Sequence, residues 1–580
     1  MRYLALAADY DGTLAHDGHV DDPTIAALER LRGSGRRLVM VTGRELDELL
    51  AIFPPIELFD RVVAENGALL YRPQTREEVL LAERPPEGFI AALRRRGVGP
   101  ISVGRAIVAT WEPHQTTVLE TIKEMGLELQ VIFNKGAVMI LPTGVNKATG
   151  LTAALDELGL SPHNAVGIGD AENDHAFLAL CECSAAVANA LPAIQERADF
   201  VTQGDHGAGV VELIERLEAD DLQSLAPRLV RHEILLGKTR DGGEERIAPY
   251  GVNILVAGTS GSGKSTMTTG FLERLAGPGY QYLIADPEGD YSTLEGAVVL
   301  GDPHREPTVE EMLELLKPVR QNVVVNLLGI ALEHRPAFFQ GLLPHLQELR
   351  ARTGRPHWIV VDEAHHLLPA TWEPATLTLP LELRGMLFIT VHPGSMARAV
   401  LESVDLVLVV GEAPERTIRE FCEAIGQAPP ALGETTLERG EALAWRRRAG
   451  VAPVRLHPEP PRTERSRHLR KYAEGNLGPD RSFRFRGPKG TLNLRAQNLV
   501  LFLQMAEGVD DETWMYHLRR GDYSAWFREG IKDDQLATEA EAIERQADAS
   551  PQETRAAIRA LIERRYTLPS DKPSGEITPD

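Results

Sequence analysis

Cysteine is nearly missing from this chain of 580 residues: Cys181, Cys183 and Cys422 are the only three. Three thiols cannot build a disulfide framework, and the Cys-x-Cys pair lacks the second pair or histidine cluster of a zinc site. Buried thiols are the expectation. Long apolar runs are missing too: none approaches the roughly 20 residues that a membrane-spanning helix needs. The opening Met1-Arg2-Tyr3-Leu4-Ala5-Leu6 leads into charged residues instead of a cleavage site. A cytoplasmic location with no membrane partner is therefore expected. Positive charge is scarce, with 62 Lys and Arg against 84 Asp and Glu and a formal net charge of −22. That balance excludes a surface that coats nucleic acid everywhere.

One stretch departs from the acidic balance. Residues 446 to 495 hold 14 Lys and Arg against 4 Asp and Glu, a local footprint for anions with DNA as the candidate partner. The competing expectation is a solvated linker that pairs with acidic neighbours. The apolar share of 43% and charged share of 25% are those of an ordinary globular chain. The length calls for several domains.

A complete phosphate-binding loop lies near the middle. Gly258 is followed by four residues and then Gly263-Lys264-Ser265-Thr266, with Gly261 inside the loop. The apolar run Ile254 to Ala257 precedes it as a buried strand, and Thr266 to Leu275 continues as a helix. Backbone N–H groups of such a loop form an anion nest at a helix N-terminus. Lys264 is expected to reach the β- and γ-phosphates of ATP and Ser265 to hold Mg²⁺. A strand at Trp358 to Val361 ends in Asp362-Glu363, an acid for the Mg²⁺ shell and a base for water. Strands at 282–285, 323–326, 387–390 and 406–410 alternate with helices and predict a parallel sheet.

The first 222 residues carry four further motifs. A strand from Tyr3 to Ala8 ends in Asp9-Tyr10-Asp11-Gly12-Thr13, and a strand from Arg37 to Val41 ends in Thr42-Gly43-Arg44. Lys147 follows in TGVNKATGL, and Asp170 and Asp174 follow in GIGDAENDH. Phosphoryl transfer to a carboxylate needs a nucleophile, a second acid, a hydroxyl and a cation on the phosphate, and further carboxylates for Mg²⁺. This set resembles the haloacid-dehalogenase-like phosphatases. The resemblance implies a Rossmann-like core with Asp9 as nucleophile, Asp11 as acid and base, and Thr42 and Lys147 on the phosphate. The implied Mg²⁺ site comprises Asp170 and Asp174 with Asp9, and Asp11 is included in the candidate metal set. The stretch from about 83 to 143 resembles the α/β cap of the Cof-type branch, which implies a small phosphomonoester substrate. Its expected elements are helices at 86–96 and 113–125 and strands at 101–110, 127–133 and 137–141. Arg105, Glu112 and His114 are candidates for contacting the leaving group, with exposed cap residues as the simpler reading.

Residues 223 to 450 open with a hairpin around Asp241-Gly242-Gly243. The combination GTSGSGKST, IADPEGDY and IVVDEAHHLLP resembles the HerA-like branch of the FtsK/HerA ATPases. That resemblance implies ATP hydrolysis, a ring hexamer and an arginine from a neighbouring subunit, with Arg384, Arg398 and Arg416 as candidates. Two departures stand out. The fourth strand runs Thr390-Val391-His392 where the family commonly has a glutamine, so Thr390 and His392 are both candidate γ-phosphate sensors. The family's N-terminal barrel is replaced by the phosphatase. His365 and His366 are expected as helix residues covering the site.

Residues 451 to 480 are expected as a basic, proline-rich linker. A mostly helical domain is expected over 481–567, with Trp514, Trp526, Leu501 and Phe502 in its core. The run Arg481 to Arg486 predicts a half-buried strand with Phe483 and Phe485 on one face and arginines on the other; a stacking surface for bases is the alternative. His517, Asp522 and Trp526 mark the domain as structural residues, and 568–580 is expected to be disordered. Two other readings of the whole chain remain open at this point. One is a nucleotide-gated regulator or scaffold, and the other is a polynucleotide kinase-phosphatase, which the cap and DPEGDY disfavour.

Overall fold

The computed structural model describes the chain apart from residues 135, 260, 373–383, 434, 439, 463–476, 478–480, 489, 491, 532, 547–548 and 567–580. The basic run RSRHLRKY and the expected disordered tail lie outside the described residues. Two units result, Met1–Glu459 and Pro460–Asp580.

The first unit contains two large sheets. In the first, parallel strands run in the order Phe200–Val201, Cys183–Ala186, Ala165–Gly169, Ala5–Ala8, Arg37–Val41 and Arg61–Ala64, and a hairpin of Leu69–Arg72 and Glu77–Leu80 completes eight strands. Helices cover both faces of the parallel part, so Leu6, Val39, Met40, Val166 and Ile168 are fully enclosed, which is why those strands read as continuous apolar runs. Ala5–Ala8, Arg37–Val41 and Ala165–Gly169 bring Asp9, Thr42 and Asp170 to one carboxyl edge, where open α/β sheets bind ligands.

The cap is a four-stranded antiparallel sheet in the order Ser102–Val103, Val108–Trp111, Ala137–Pro142, Leu129–Asn134, backed by helices Glu87–Arg95 and Gln115–Glu124. The single strand expected over 101–110 is two short strands. The Glu65 carboxylate, on the core, accepts from the backbone N–H groups of Arg105, Ala106 and Ile107, and this draws the intervening loop out of the sheet.

The second sheet has eleven strands. Seven are parallel, Leu406–Val410, Ile254–Gly258, Met386–Thr390, Trp358–Val361, Tyr282–Asp286, Asn322–Asn326 and Ala297–Leu300. Four antiparallel strands extend one side: Ala442–Arg446, Val454–Pro458, Ile234–Thr239 and Glu244–Ile247. The expected linker is corrected here, because Val454–Pro458 lies inside the sheet with Leu456 buried between Ala442 and Thr239.

The two sheets meet through a polar junction. Glu182 accepts from Arg2, from His163 Nδ1 at 2.7 Å and from the Tyr280 hydroxyl at 2.7 Å, and His163 stacks on Tyr280 at 3.7 Å. His163 and Arg2 hold the Glu182 carboxyl well below its ordinary range despite burial that acts the other way. Asn164 accepts from His357 Nε2 at 3.2 Å, and Arg355 donates to the Gly159 carbonyl at 2.8 Å. Tyr280 and His357 lie just before Tyr282–Asp286 and Trp358–Val361, so the junction grips the amino ends of strands whose carboxyl ends carry the acidic groups described below. No helix among the described residues is long and apolar enough to cross a membrane.

In the second unit, helices Leu499–Gly508, Asp511–Arg519, Asp522–Glu529, Asp534–Glu544 and Pro551–Arg565 enclose Phe502, Trp514, Tyr523 and Phe527. Phe483–Phe485 and Leu494–Ala496 pair as a two-stranded sheet, with Phe483 and Phe485 buried. The stacking-surface alternative is thereby excluded, since both rings face the core. His517 donates through Nδ1 to Asp522 Oδ2 at 2.7 Å and accepts the Arg486 N–H on Nε2 at 3.1 Å, a structural arrangement.

Candidate active sites

At the first sheet's carboxyl edge Asp9, Asp170, Asp174 and Lys147 are all buried. Lys147 begins the helix Lys147–Leu158, which Asn146 caps by accepting from the N–H groups of Ala148 and Thr149. Its ammonium donates to Asp9 Oδ1 at 2.5 Å and Asp174 Oδ1 at 2.6 Å. Asp174 is set by its own turn, accepting on Oδ2 from the N–H groups of Asp170 and Ala171, both at 2.9 Å. Glycine is required beneath it, because a Cβ on Gly169 would lie 2.7 Å from that oxygen. Thr13 donates to Asp170 Oδ1 at 3.3 Å.

One carboxylate oxygen each from Asp9, Asp170 and Asp174 lies within 4.8 Å of the others. Burial, then the neighbouring Asp174, pushes the Asp9 carboxyl well above its ordinary range. Lys147 goes up as well, because Asp174 and Asp9 outweigh burial. Three buried carboxylates with a single ammonium fit a divalent cation, which would relieve the remaining repulsion. Asp11 stands outside this trio. Arg44 donates to both its oxygens, Nε to Oδ2 at 2.6 Å and Nη2 to Oδ1 at 2.7 Å, so the Asp11 carboxylate is not one of the three that converge. Thr42 is buried and accepts the Arg44 N–H at 3.1 Å.

The cap sits over this centre. A Cβ on Gly43 would lie 3.6 Å from Asn173 Nδ2 and 3.7 Å from the Met139 sulfur, so the cap strand Ala137–Pro142 reaches the catalytic loops. Asn173 Nδ2 also donates to Asn66 Oδ1 at 3.2 Å. The three cap candidates lie elsewhere. Arg105 pairs with Asp47 and Glu78, His114 bonds Gly99, and Glu112 is exposed. Arg44, Glu65, Asn66 and Asn173 were missed; Arg44 was visible beside Thr42, whereas the others depend on contacts made only in the fold.

In the second sheet the loop glycines Gly261 and Gly263 take φ of 77° and 102°, which turns the loop around the start of helix Lys264–Ala276. A Cβ on Gly258 would lie 2.1 Å from the Val410 carbonyl. Ser265 and Thr266 stand in the helix's first turn. Lys264 donates to the carbonyls of Gly258 and Thr259, both at 3.0 Å. Its charge faces neutral oxygens, and burial lowers its pKa; phosphate oxygens suit it better, and the nest fits a nucleotide's phosphates.

Four acids converge across the loop. Asp286 is buried and accepts from the N–H groups of Asp290 and Tyr291 at 3.1 and 2.8 Å. Burial pushes its carboxyl up to about 6. Burial, with Asp286 next, pushes Asp362 well above its ordinary range. Burial and Glu288 bring Glu363 up to about 7. Glu363 has a φ of 41°, a left-handed conformation that is strained for a non-glycine residue. Its Oε2 is buried without a hydrogen bond among the described residues, 3.4 Å from His365 Nδ1.

His365, expected as a helix residue covering the site, lies in the short helix Ala364–Leu367 beside Glu363. Its Nδ1 meets the Thr390 hydroxyl at 3.0 Å, and Thr390 Oγ1 accepts the His392 N–H at 3.0 Å. Thr390 is fully buried, whereas His392 is exposed. Burial, His366 and His392 lower His365 to about 4. Among the arginine candidates, Arg398 and Arg416 pair one helical turn away with Glu402 and Glu420, and Arg384 donates to the Gly251 carbonyl.

Residues 6–93 and 112–214 match the haloacid dehalogenase-like hydrolase family, and residues 253–339 match the family described as Helicase HerA, central domain. A phosphoglycolate phosphatase of Methanothermobacter thermautotrophicus is 30% identical over 223 residues, 37% of this chain and 97% of that protein. The chain belongs to the haloacid dehalogenase-like hydrolases. Phosphoglycolate phosphatase 2 of Saccharolobus solfataricus is 31% identical over 37% of this chain and 92% of its own length. This haloacid dehalogenase-like hydrolase thus carries, on the same chain, a HerA-like P-loop ATPase domain. The HerA match ends before Asp362 and Glu363, so the acids of the later strand rest on the geometry above.

Proposed function

We propose that the chain is a two-site hydrolase: a Mg²⁺-dependent phosphatase for a small phosphomonoester and an ATPase with its own water-activating glutamate. The observation that carries the phosphatase reading is the Lys147 ammonium held between Asp9 and Asp174, with Asp170 within ligand range. An Asp9 oxygen attacks phosphorus, the ester P–O bond breaks, and Asp11, protonated on the oxygen it frees from Arg44, gives that proton to the leaving oxygen. Asp11 then takes a proton from water, whose oxygen attacks the aspartyl-phosphate and frees Asp9 and inorganic phosphate. Mg²⁺, held by Asp9, Asp170 and Asp174, supplies neutralisation of the phosphoryl charge when bound. Thr42 and Lys147 hold the transferring group, and Arg44 aims Asp11.

The cap's approach to Gly43 and Asn173 favours a compact leaving group, and the named activity of the relatives makes phosphoglycolate the first substrate to test. For the second site, Lys264 and the loop N–H groups bind the phosphates of ATP, Ser265 and Asp362 would hold Mg²⁺, and Glu363 orients and deprotonates the attacking water. A panel of small phosphomonoesters assayed beside ATP separates the sites. Asp9→Asn is expected to abolish phosphomonoester hydrolysis with ATP turnover intact; loss of both activities would refute two independent centres.

A further inference from the structure

The basic stretch between residues 446 and 495 divides into parts with different surroundings. At its start, Arg446 pairs with Glu245 at 2.6 Å and Arg448 with Asp405 at 3.2 Å, so those charges are already matched. At its end, residues 481–497 contain four arginines and one lysine and no acid. Phe483 and Phe485 turn into the core, which by strand alternation sends Arg484 and Arg486 to the opposite face. Arg495 stands directly across from Arg484 in the antiparallel pair.

Like charges in that position repel and cost stability. Among the described residues neither guanidinium has an ion pair; Arg484 donates to Asn493 Oδ1 at 3.3 Å and Arg495 to Gln497 Oε1 at 3.2 Å, both neutral amide oxygens. The strand under them is tied to the helical core at both ends. Trp526 Nε1 donates to the Arg481 carbonyl at 2.8 Å on one side of the strand, and Arg486 N–H donates to His517 at 3.1 Å on the other.

We propose that this arginine face of the second unit, made of Arg484, Arg486 and Arg495 with Arg481 beside it, is a docking surface for the phosphate backbone of a nucleic acid. Charge complementarity selects the occupant: a row of guanidiniums without an ion pair among the described residues, on an otherwise acidic protein, matches closely spaced phosphodiesters. The burial of both phenylalanines removes base stacking, so recognition is indifferent to base sequence and does not need a single strand.

The test is fluorescence anisotropy on the full chain with labelled single-stranded DNA, duplex DNA and single-stranded RNA of random sequence, at several salt concentrations. Binding to all three that weakens steeply with salt is expected. Arg484→Gln with Arg495→Gln should weaken duplex binding at least tenfold at low salt and lower the salt slope by roughly 1.8, about 0.9 for each lost phosphate contact. Arg446→Gln with Arg448→Gln should leave both unchanged. Near-ultraviolet circular dichroism of the Trp514 and Trp526 region reports whether the double variant keeps its fold, and Arg484→Lys with Arg495→Lys, which keeps the charge, should retain most of the binding. No binding by the wild type, an unchanged salt slope in the folded double variant, or binding confined to inorganic polyphosphate would overturn the proposal.

Discussion

The two centres of the first unit solve the same electrostatic problem in opposite ways. At the phosphatase centre the buried lysine is spent on the carboxylates, with Lys147 touching Asp9 and Asp174. At the ATPase centre the lysine's hydrogen bonds go to carbonyls of its own loop, and its charge only partly offsets the crowding of Asp286, Asp362 and Glu363. One centre is preassembled around an internal counter-ion. The other keeps its cation free for an incoming polyphosphate, at the cost of carboxyl groups that favour their protons. Substitutions at the first should therefore damage both stability and activity, and substitutions at the second should separate the two.

The largest effect is expected from Lys147→Ala. It leaves two buried carboxylates without their partner, and breaking such a pair costs about 3–5 kcal/mol. A lowered denaturant midpoint should accompany a fall in phosphatase kcat on the order of 10³-fold, as for loss of a transition-state charge contact. An unchanged midpoint would mean that the ammonium is not the counter-ion of the centre.

Glu363→Gln should behave in the reverse sense, with ATP turnover falling by about 10²-fold or more while the folded protein becomes more stable at high pH. The sign follows from the raised carboxyl. With a folded-state pKa of about 7 against an ordinary 4.5, the folded chain holds the proton more tightly, so this group's contribution is full below pH 4.5 and is lost as pH rises through 7. Glutamine cannot ionise, so the melting temperature of the variant in EDTA should exceed that of the wild type at pH 8 and match it near pH 4.5. A gap that is constant with pH would detach the glutamate from this account.

Glu182→Gln sharpens the comparison by loosening what joins the centres. The amide keeps the shape but loses charge-assisted bonds from Arg2 and His163, each worth about 1.5–3 kcal/mol in general. Calorimetry should show the single melting transition of the first unit broaden or split, with both activities retained at low temperature. A sharp, unshifted transition would show that the junction contributes little to holding the sheets together.

The preassembled centre was also the more legible one. Asp9, Thr42, Lys147 and Asp170 end strands or begin helices, so local pattern alone places them on one edge. The pairing of Asp11 with Arg44 was not legible, because Arg44, in the next strand's loop, becomes its neighbour only when the strands pair. Glu65 and His365 act on groups 40 and 25 residues away, separations at which sequence spacing carries no geometry. Val454–Pro458 was taken for linker because prolines punctuate it, yet Pro453 precedes the strand and Pro458 is its last residue, so neither removes an interior donor.

The smallest effect, and the one that asks most about the open centre, concerns His365. Its Nδ1 lies 3.0 Å from the Thr390 hydroxyl and 3.4 Å from Glu363 Oε2, and it joins the glutamate's strained turn to the strand beside the phosphate loop. Burial and the neighbouring histidines lower its pKa to about 4, so near neutral pH the ring is an uncharged bridge. Its contribution is orientation, and misplacing a base by a fraction of an ångström costs about tenfold. His365→Ala should lower kcat for ATP by that amount with KM nearly constant, because the phosphate-binding loop is untouched. His365→Asn, which can still hydrogen-bond Thr390, should recover part of the rate. A rise in KM with kcat unchanged would move His365 from the base to the nucleotide and give the ATPase centre a preassembled part that the comparison denies it.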